Sequence, residues 1–369
     1  MSVYRRVTPL IIIVLLIVLS VSVVIIQPTT PSAAQSRVTW SARNCRGVSY
    51  VSFTPNGYLS ASSKSSLNAL RSTGANYVAL IVFWKLDTHT SNTVHPDPNA
   101  TPTDAAVIAA INDIHARGMS VMLKLHLTRG DPNANYNVEP TDPAAWFASY
   151  ATMCNHYAQI AQDNGVELFC VGNELSGLDT SNYSLWSTLI HGVRAIYSGP
   201  LTYAAPWWSD AYRQVPFWGL LDYIGINAYF PLSTAQTPSV ADVVTGWSSY
   251  NDSGTVRNWT QEIETLQATV NKPVIFTEIG YRSIDYAAKS PSNDYVEPYN
   301  GLGQANCYEA ALRVFANKPW FAGIFWWGWS PENAGGAGNT GYTPQNKPAQ
   351  SVLTEDWLPS SVFSLPYAY

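Results

Sequence analysis

The chain has 369 residues, with 25 acidic against 20 basic side chains and a formal net charge of −5 at pH 7. Only 12% of its residues are charged while 13% are aromatic, including 14 Trp and 22 Tyr. That balance argues against a disordered chain, which is poor in apolar and aromatic residues, and against a nucleic-acid binder, which presents a basic surface to phosphates. It suits a large core and a surface for neutral ligands with partly apolar faces, of which sugar rings are one kind.

Arg5 and Arg6 precede an apolar run from Leu10 to Ile26, broken only by Ser20 and Ser22. The run is long for the middle of a secretory signal and at the short limit for a membrane span. Two readings follow: a cleaved signal peptide, or an uncleaved anchor through residues 10–26. Either places the two Arg inside and the rest of the chain outside. The expected localisation is therefore extracellular, either secreted or tethered to the outer face of the membrane. Residues 1–36 are expected to be signal and tether, and residues 37–369 one domain. Cys45, Cys154, Cys170 and Cys307 match no metal-binding spacing. Cys154, on an expected helix, and Cys170, on the strand after it, can meet as a disulfide; equally, all four can be buried thiols.

After residue 40 the chain alternates. Gly47–Phe53 reads as a strand, Ser60–Arg71 as a helix stopped by Gly74, and Tyr77–Trp84 as a continuously apolar strand. A polar loop, a helix from Thr103 to Gly118, strand Ser120–Leu127 and a second polar loop follow. Asp142-Pro143 opens a long helix, as Asp at the cap and Pro in the first turn favour. Strand Leu168–Leu175, helix Asn182–Tyr197 and strand Leu201–Pro206 come next. Strand Tyr223–Phe230, a long excursion, a helix near Arg257–Val270 and strand Pro273–Tyr281 continue the rhythm. Helix Leu302–Ala316, strand Phe321–Trp329 and a short helix near Pro348–Val352 complete it. Eight apolar strands, each followed by a helical stretch, describe an α/β chain closing into a (β/α)8 TIM barrel. Long loops follow the strands and short turns follow the helices, as a barrel with its active face at the strand ends requires. An open doubly wound sheet fits less well, because Thr54-Pro55-Asn56-Gly57 stands where its Gly-rich phosphate loop belongs.

Two strands deliver a Glu at their carboxyl ends. Leu168-Phe169-Cys170-Val171 runs into Gly172-Asn173-Glu174, and Val274-Ile275-Phe276 into Thr277-Glu278. Ionised carboxylates are costly to bury, so two at the mouth of one barrel point to chemistry, and a carboxyl pair is the minimum equipment of glycoside hydrolysis. A metal reading is weaker: the His are scattered and no His-Glu-x-x-His occurs. Lys124 and His126 end the third strand two apart and so share a face; both are expected among the substrate-contacting residues, and a Lys near a carboxylate would favour its charged form. Aromatics gather at the same ends: Trp84, Trp207, Trp208, Tyr281, Trp327 and Trp329 are expected on the rim, with Trp327 flooring the subsite at the cleaved bond and Trp326 turned into the helix layer.

Four blocks carry a resemblance: Gly172-Asn173-Glu174-Leu175-Ser176, Leu201-Thr202-Tyr203-Ala204-Ala205, Asp222 through Asn227-Ala228-Tyr229 to Leu232, and Thr277-Glu278-Ile279-Gly280-Tyr281-Arg282-Ser283. In this order they resemble glycoside hydrolase family 113, within the clan of retaining (β/α)8 glycosidases, whose known members are β-1,4-mannanases. The resemblance runs from about Arg46 to Leu353. It implies that Glu174 is the general acid/base and Glu278 the nucleophile, that Asn173 bonds the sugar 2-hydroxyl, and that Tyr229 orients Glu278. It also places Asn227 among the residues contacting substrate. A polysaccharide or oligosaccharide substrate is expected, with no cofactor and no protein or nucleic-acid partner. The alternatives are a non-catalytic carbohydrate-binding barrel, or a transglycosylase or hydrolase of another β-glycan.

Overall fold

The computed structural model describes residues 45–131, 137–332 and 334–358. The expectations for residues 1–36, including the apolar run 10–26, lie outside them. Among the described residues no helix is long and apolar enough to cross a membrane.

Eight parallel strands close into one barrel: β1 (Cys45–Tyr50), β2 (Tyr77–Leu86), β3 (Ser120–Arg129), β4 (Leu168–Asn173), β5 (Leu201–Pro206), β6 (Ile224–Asn227), β9 (Val274–Ile279) and β10 (Phe321–Trp329). The ring closes where β1 pairs with both β2 and β10. Around it stand α1 (Ala61–Ser72), α2 (Asp104–His115), α3 (Pro143–Asp163), α4 (Tyr183–Ile196), the short α5 (Ala211–Gln214), α6 (Val240–Ser248), α7 (Trp259–Val270), α8 (Gly301–Phe315) and α9 (Pro348–Trp357). The expected α/β barrel is the fold. The sequence reading missed α6 and a small antiparallel hairpin, β7 (Tyr250–Asp252) with β8 (Thr255–Arg257), which occupy the excursion after the sixth barrel strand.

Local signals start the helices. Ser60, Thr103 and Asp142 each accept a hydrogen bond from the backbone N–H three residues on, satisfying one of the donors that a helix start leaves unpaired. Ser239 and Asp242 complete a reciprocal cap on α6.

The strands are apolar on both faces because each face is buried against something different. Tyr77, Ala79, Ile81 and Phe83 of β2 point into the barrel, together with Met122, Leu168, Cys170, Ile275 and Phe325. Val78, Leu80, Val82 and Trp84 point outward into the layer beneath the helices. This two-residue alternation decides every side chain's destination. It also rules out the disulfide: Cys170 faces the barrel interior while Cys154 lies in the helix layer, and all four Cys are buried free thiols.

In the outer layer Trp247 is fully buried, stacked on Phe276 (5.9 Å between ring centroids) and edge-on to Phe315 (4.8 Å). Replacing it by Ala removes a large packed ring far from solvent. Trp247→Ala is expected to destabilise the barrel by about 3–5 kcal/mol in urea unfolding, with the midpoint shifting and the slope unchanged.

Candidate active site

Glu278 is the fifth residue of β9, on the barrel-facing side of the strand and 5% exposed. Two donors aim at its carboxylate. The Lys124 ammonium, itself wholly buried in the barrel, sits 2.5 Å from Oε1. The Tyr229 hydroxyl donates to Oε2 at 2.8 Å. Lys124 also donates to the Thr277 carbonyl at 3.2 Å, so the ammonium is tied to the strand as well as to the side chain. His126 Nε2 lies 3.5 Å from Oε1 without a hydrogen bond. Burial, aided by the neighbouring Lys124 charge, pushes the imidazole far below its ordinary pKa, so it stays neutral. Donors to both oxygens leave Glu278 one orientation and compensate its charge.

Glu174 stands just past the end of β4, where the backbone leaves the extended conformation at φ +49°. A side chain in this left-handed region costs about 1–2 kcal/mol, and the surroundings hold it there: the Glu174 N–H donates to the Ala204 carbonyl at 2.9 Å. Its carboxyl keeps some surface open to the cavity, yet the walls withdraw it from bulk water. Burial, and then the nearby Glu278, push its pKa up to about 8, against the opposing hydrogen bond from Asn227. Asn227 spans the two strand ends. Its Nδ2 donates to Glu174 Oε1 and to Asn173 Oδ1, both at 2.9 Å, and its Oδ1 accepts from the Thr277 hydroxyl at 2.9 Å. In register Asn227 is paired with Glu278 itself. Gly225, two residues earlier on β6, permits this closeness: a Cβ there would meet the Tyr203 carbonyl at 2.2 Å.

Glu174, Glu278, Asn173, His126, Tyr229, Trp207, Trp208 and Trp327 all line one cavity of about 550 Å³ at the carboxyl ends of the strands. His126 and Trp327 stack at 5.8 Å. Five residues expected at the substrate lie elsewhere. Lys124 and Asn227 are wholly buried and position the carboxyl groups from behind. Trp84 belongs to the helix layer; the alternation gives the barrel-facing place on β2 to Phe83, opposite His126. Tyr281 is fully buried, its ring 6.5 Å from that of Tyr308 on α8. Trp329 does not share the face of Trp327. Val48 and Tyr50 of β1 pair with Trp326 and Trp329, so the register slips by one residue and the alternation breaks. Trp329 turns outward, and its indole N–H donates to Ser66 of α1 at 2.9 Å. Trp326 stacks on Tyr308 in the helix layer, as expected.

Sequence reasoning missed Leu127, Arg129, Ser292, Asp294 and Tyr342, which complete the cavity wall. The pairing of β3 with β4 ends at Lys124, so the last residues of β3 stand above the ring and border the cavity with both faces. Ser292 and Asp294 come from a loop whose role the sequence left open, and Tyr342 is held to it by donating to the Pro291 carbonyl at 2.6 Å. Among the described residues no group of three or more His, Cys, Asp or Glu side chains comes together as a metal site would require.

A closed parallel barrel that sets two carboxyl groups with contrasting surroundings into one cavity at its carboxyl-terminal mouth has the build of a barrel glycosidase. The sequence profile of Glycoside Hydrolase Family 113 matches residues 48–347, and the chain belongs to that family. Among solved structures, the GH113 β-mannanase of Alicyclobacillus acidocaldarius, in complex with ManMIm, superposes with a TM-score of 0.74 at 23% identity, covering 86% of this chain and 99% of that one. A complex structure of a GH113 β-1,4-mannanase gives 0.70 at 23% identity, over 85% and 98%. A β-glucuronidase of Ruminococcus gnavus gives 0.56 at 14% identity, over 85% of this chain and 50% of that one. At these identities the likeness establishes a shared fold. A search of curated proteins returns no match.

The Tyr229–Glu278 hydrogen bond carries its own test. Tyr229→Phe keeps the ring and removes one donor to a charged acceptor, a change of about 1.5–3 kcal/mol. The turnover number of the variant is expected to fall by about 10- to 100-fold, with the melting temperature lower by a few degrees.

Proposed function

We propose that this glycoside hydrolase is a retaining enzyme cleaving a β-linked polysaccharide, a β-1,4-mannan before others, with Glu174 as general acid/base and Glu278 as nucleophile. The observation that carries this reading is the contrast between the two carboxyl groups. Glu174 is pushed up to about 8 by burial and by its acidic neighbour, so it holds a proton at neutral pH. Glu278 is gripped by an ammonium and a phenol that leave it only one orientation. One group is built to give a proton and the other to attack.

In the first step Glu174 donates its proton to the glycosidic oxygen as that bond breaks, and a Glu278 oxygen bonds to the anomeric carbon. The leaving sugar departs with the proton, and a glycosyl ester remains on Glu278. In the second step the Glu174 carboxylate takes a proton from water, the water oxygen attacks the anomeric carbon, and the ester bond to Glu278 breaks. Both carboxyl groups return to their starting states. Asn173 borders the cavity beside Glu174 and suits a contact with the sugar 2-hydroxyl. His126 and Trp207 line the cavity, with His126 Nε2 and the Trp207 indole nitrogen buried in its wall without a hydrogen-bond partner among the described residues. Trp327, stacked beside His126, offers a flat face for the ring at the cleaved bond. Mannan is favoured because the two GH113 structures described above are β-mannanases. The basic and apolar start of the chain supports export, so that a polymer outside the cell is the substrate.

Incubation with mannan is expected to release new reducing ends, and with glucan, xylan and galactan far fewer. Glu278→Ala should lower turnover by about 10⁴- to 10⁶-fold, and azide should restore part of it with a glycosyl azide as product. Normal hydrolysis by Glu278→Ala would remove the nucleophile assignment. The pH profile supplies a second check. The first step needs Glu174 protonated, so kcat/KM should fall about tenfold per pH unit as pH rises past about 8. Glu174→Ala should lose that alkaline limb and be slower by about 10²- to 10⁴-fold on substrates with poor leaving groups. An alkaline limb that survives the substitution would assign it to another group.

A further inference from the structure

Phe53 is one of the few large apolar side chains left open, with 62% of its surface exposed. It is not a stray surface residue. Its ring stacks on Phe83 at 5.3 Å and 21°. Phe83 stands edge-on to His126 at 5.6 Å, and His126 stacks on Trp327 at 5.8 Å. The last two line the cavity that holds Glu174 and Glu278. Phe83, His126 and Trp327 come from β2, β3 and β10, and Phe53 from the turn just after β1; the four strands are neighbours around the barrel. The rings form one aromatic arc from the carboxyl groups to open solvent, and with one ring face covered by Phe83 the exposed face of Phe53 ends it.

The turn that carries Phe53 is held rigidly. Ser52, 1% exposed, donates its N–H to the buried Tyr58 hydroxyl at 3.1 Å. That hydroxyl in turn reaches the carbonyls of Tyr50 and Ile81 at 3.0 and 2.8 Å. An exposed aromatic ring on a fixed turn beside the mouth of a substrate cavity loses little entropy on binding a flat apolar face. We infer that Phe53 is a distal sugar-stacking platform, extending the cleft along the β1–β2 side of the mouth and binding a pyranose ring of the same polysaccharide a few units from the cleaved bond. The occupant is the substrate chain, because the ring stands just past β1 at the carboxyl-terminal mouth, joined through the buried Phe83 to the His126 and Trp327 wall of the catalytic cavity, and the ring steps span no more than a short oligosaccharide. The inference rests on the glycosidase reading for its ligand and on the aromatic arc for its place.

The test is calorimetric titration of the Glu278→Gln protein with β-1,4-linked manno-, gluco- and xylo-oligosaccharides from dimer to hexamer, with and without Phe53→Ala. The reading predicts that Phe53→Ala weakens binding of the longest oligomers about 3- to 10-fold, with the loss shrinking as the oligomer shortens, and that Phe53→Trp restores or tightens it. Unfolding midpoints of both variants should match the parent, since the ring is mostly exposed. In otherwise unaltered enzyme, Phe53→Ala should raise KM for long substrates more than it lowers kcat. Equal affinities at every length would overturn the platform and leave the glycosidase reading standing. Length-dependent binding without any hydrolysis by the parent enzyme would keep the platform and sink the hydrolase. No binding to any of these oligosaccharides would overturn both.

Discussion

The Lys124–Glu278 pair is the contact around which the upper half of the barrel is arranged. Both groups are almost wholly withdrawn from water, and the ammonium reaches one carboxylate oxygen from below. Desolvating two such charges is repaid only when geometry and further hydrogen bonds are good. Here the Thr277 carbonyl takes a second ammonium proton and Tyr229 serves the other carboxylate oxygen. Removing one partner of such a pair typically costs about 3–5 kcal/mol, because the other charge stays buried. The pair is therefore a poor device for stability alone. It holds one carboxylate in one place.

The other carboxyl group is held by different means. Among the described residues no ammonium touches the Glu174 oxygens; the residue has a left-handed backbone, a main-chain tie to β5 and the amide of Asn227. Asn227 joins the halves of the site, since it bonds Glu174 and Asn173 on one side and Thr277, the neighbour of Glu278, on the other. Two acids of the same chemistry thus acquire different hydrogen-bond partners and different restraints from their settings. Burial, and then proximity to Glu278, raise the cost of charging Glu174.

Much of this was legible in the chain. Apolar runs of strand length, helical stretches between them and long loops on one side announced the barrel, because a parallel strand buried on both faces must be apolar throughout. The two Glu were found because a carboxylate at the end of such a run has no structural reason to be there. The aromatic residues were harder. Trp84, Tyr281 and Trp329 are aromatic just as Trp327 and Trp207 are, and composition does not say which face a ring takes. One residue of register sends a side chain to the cavity or beneath a helix. The slip between β1 and β10 moved Trp329, and plain alternation moved Trp84 in favour of Phe83.

The order of apolar and polar residues by itself determined that the described chain is an eight-stranded barrel with two acids at its mouth, since burial on both strand faces is written in local composition. Only the tertiary structure decided which polar groups serve those acids. Lys124 on β3, Asn227 at the end of β6 and Tyr229 just past it meet the two acids of β4 and β9 solely through barrel closure, and Tyr342 and Asp294 reach the cavity from loops that have no periodicity to read. Contacts between residues far apart in the chain depend on register and closure, which are properties of the whole ring rather than of any one segment.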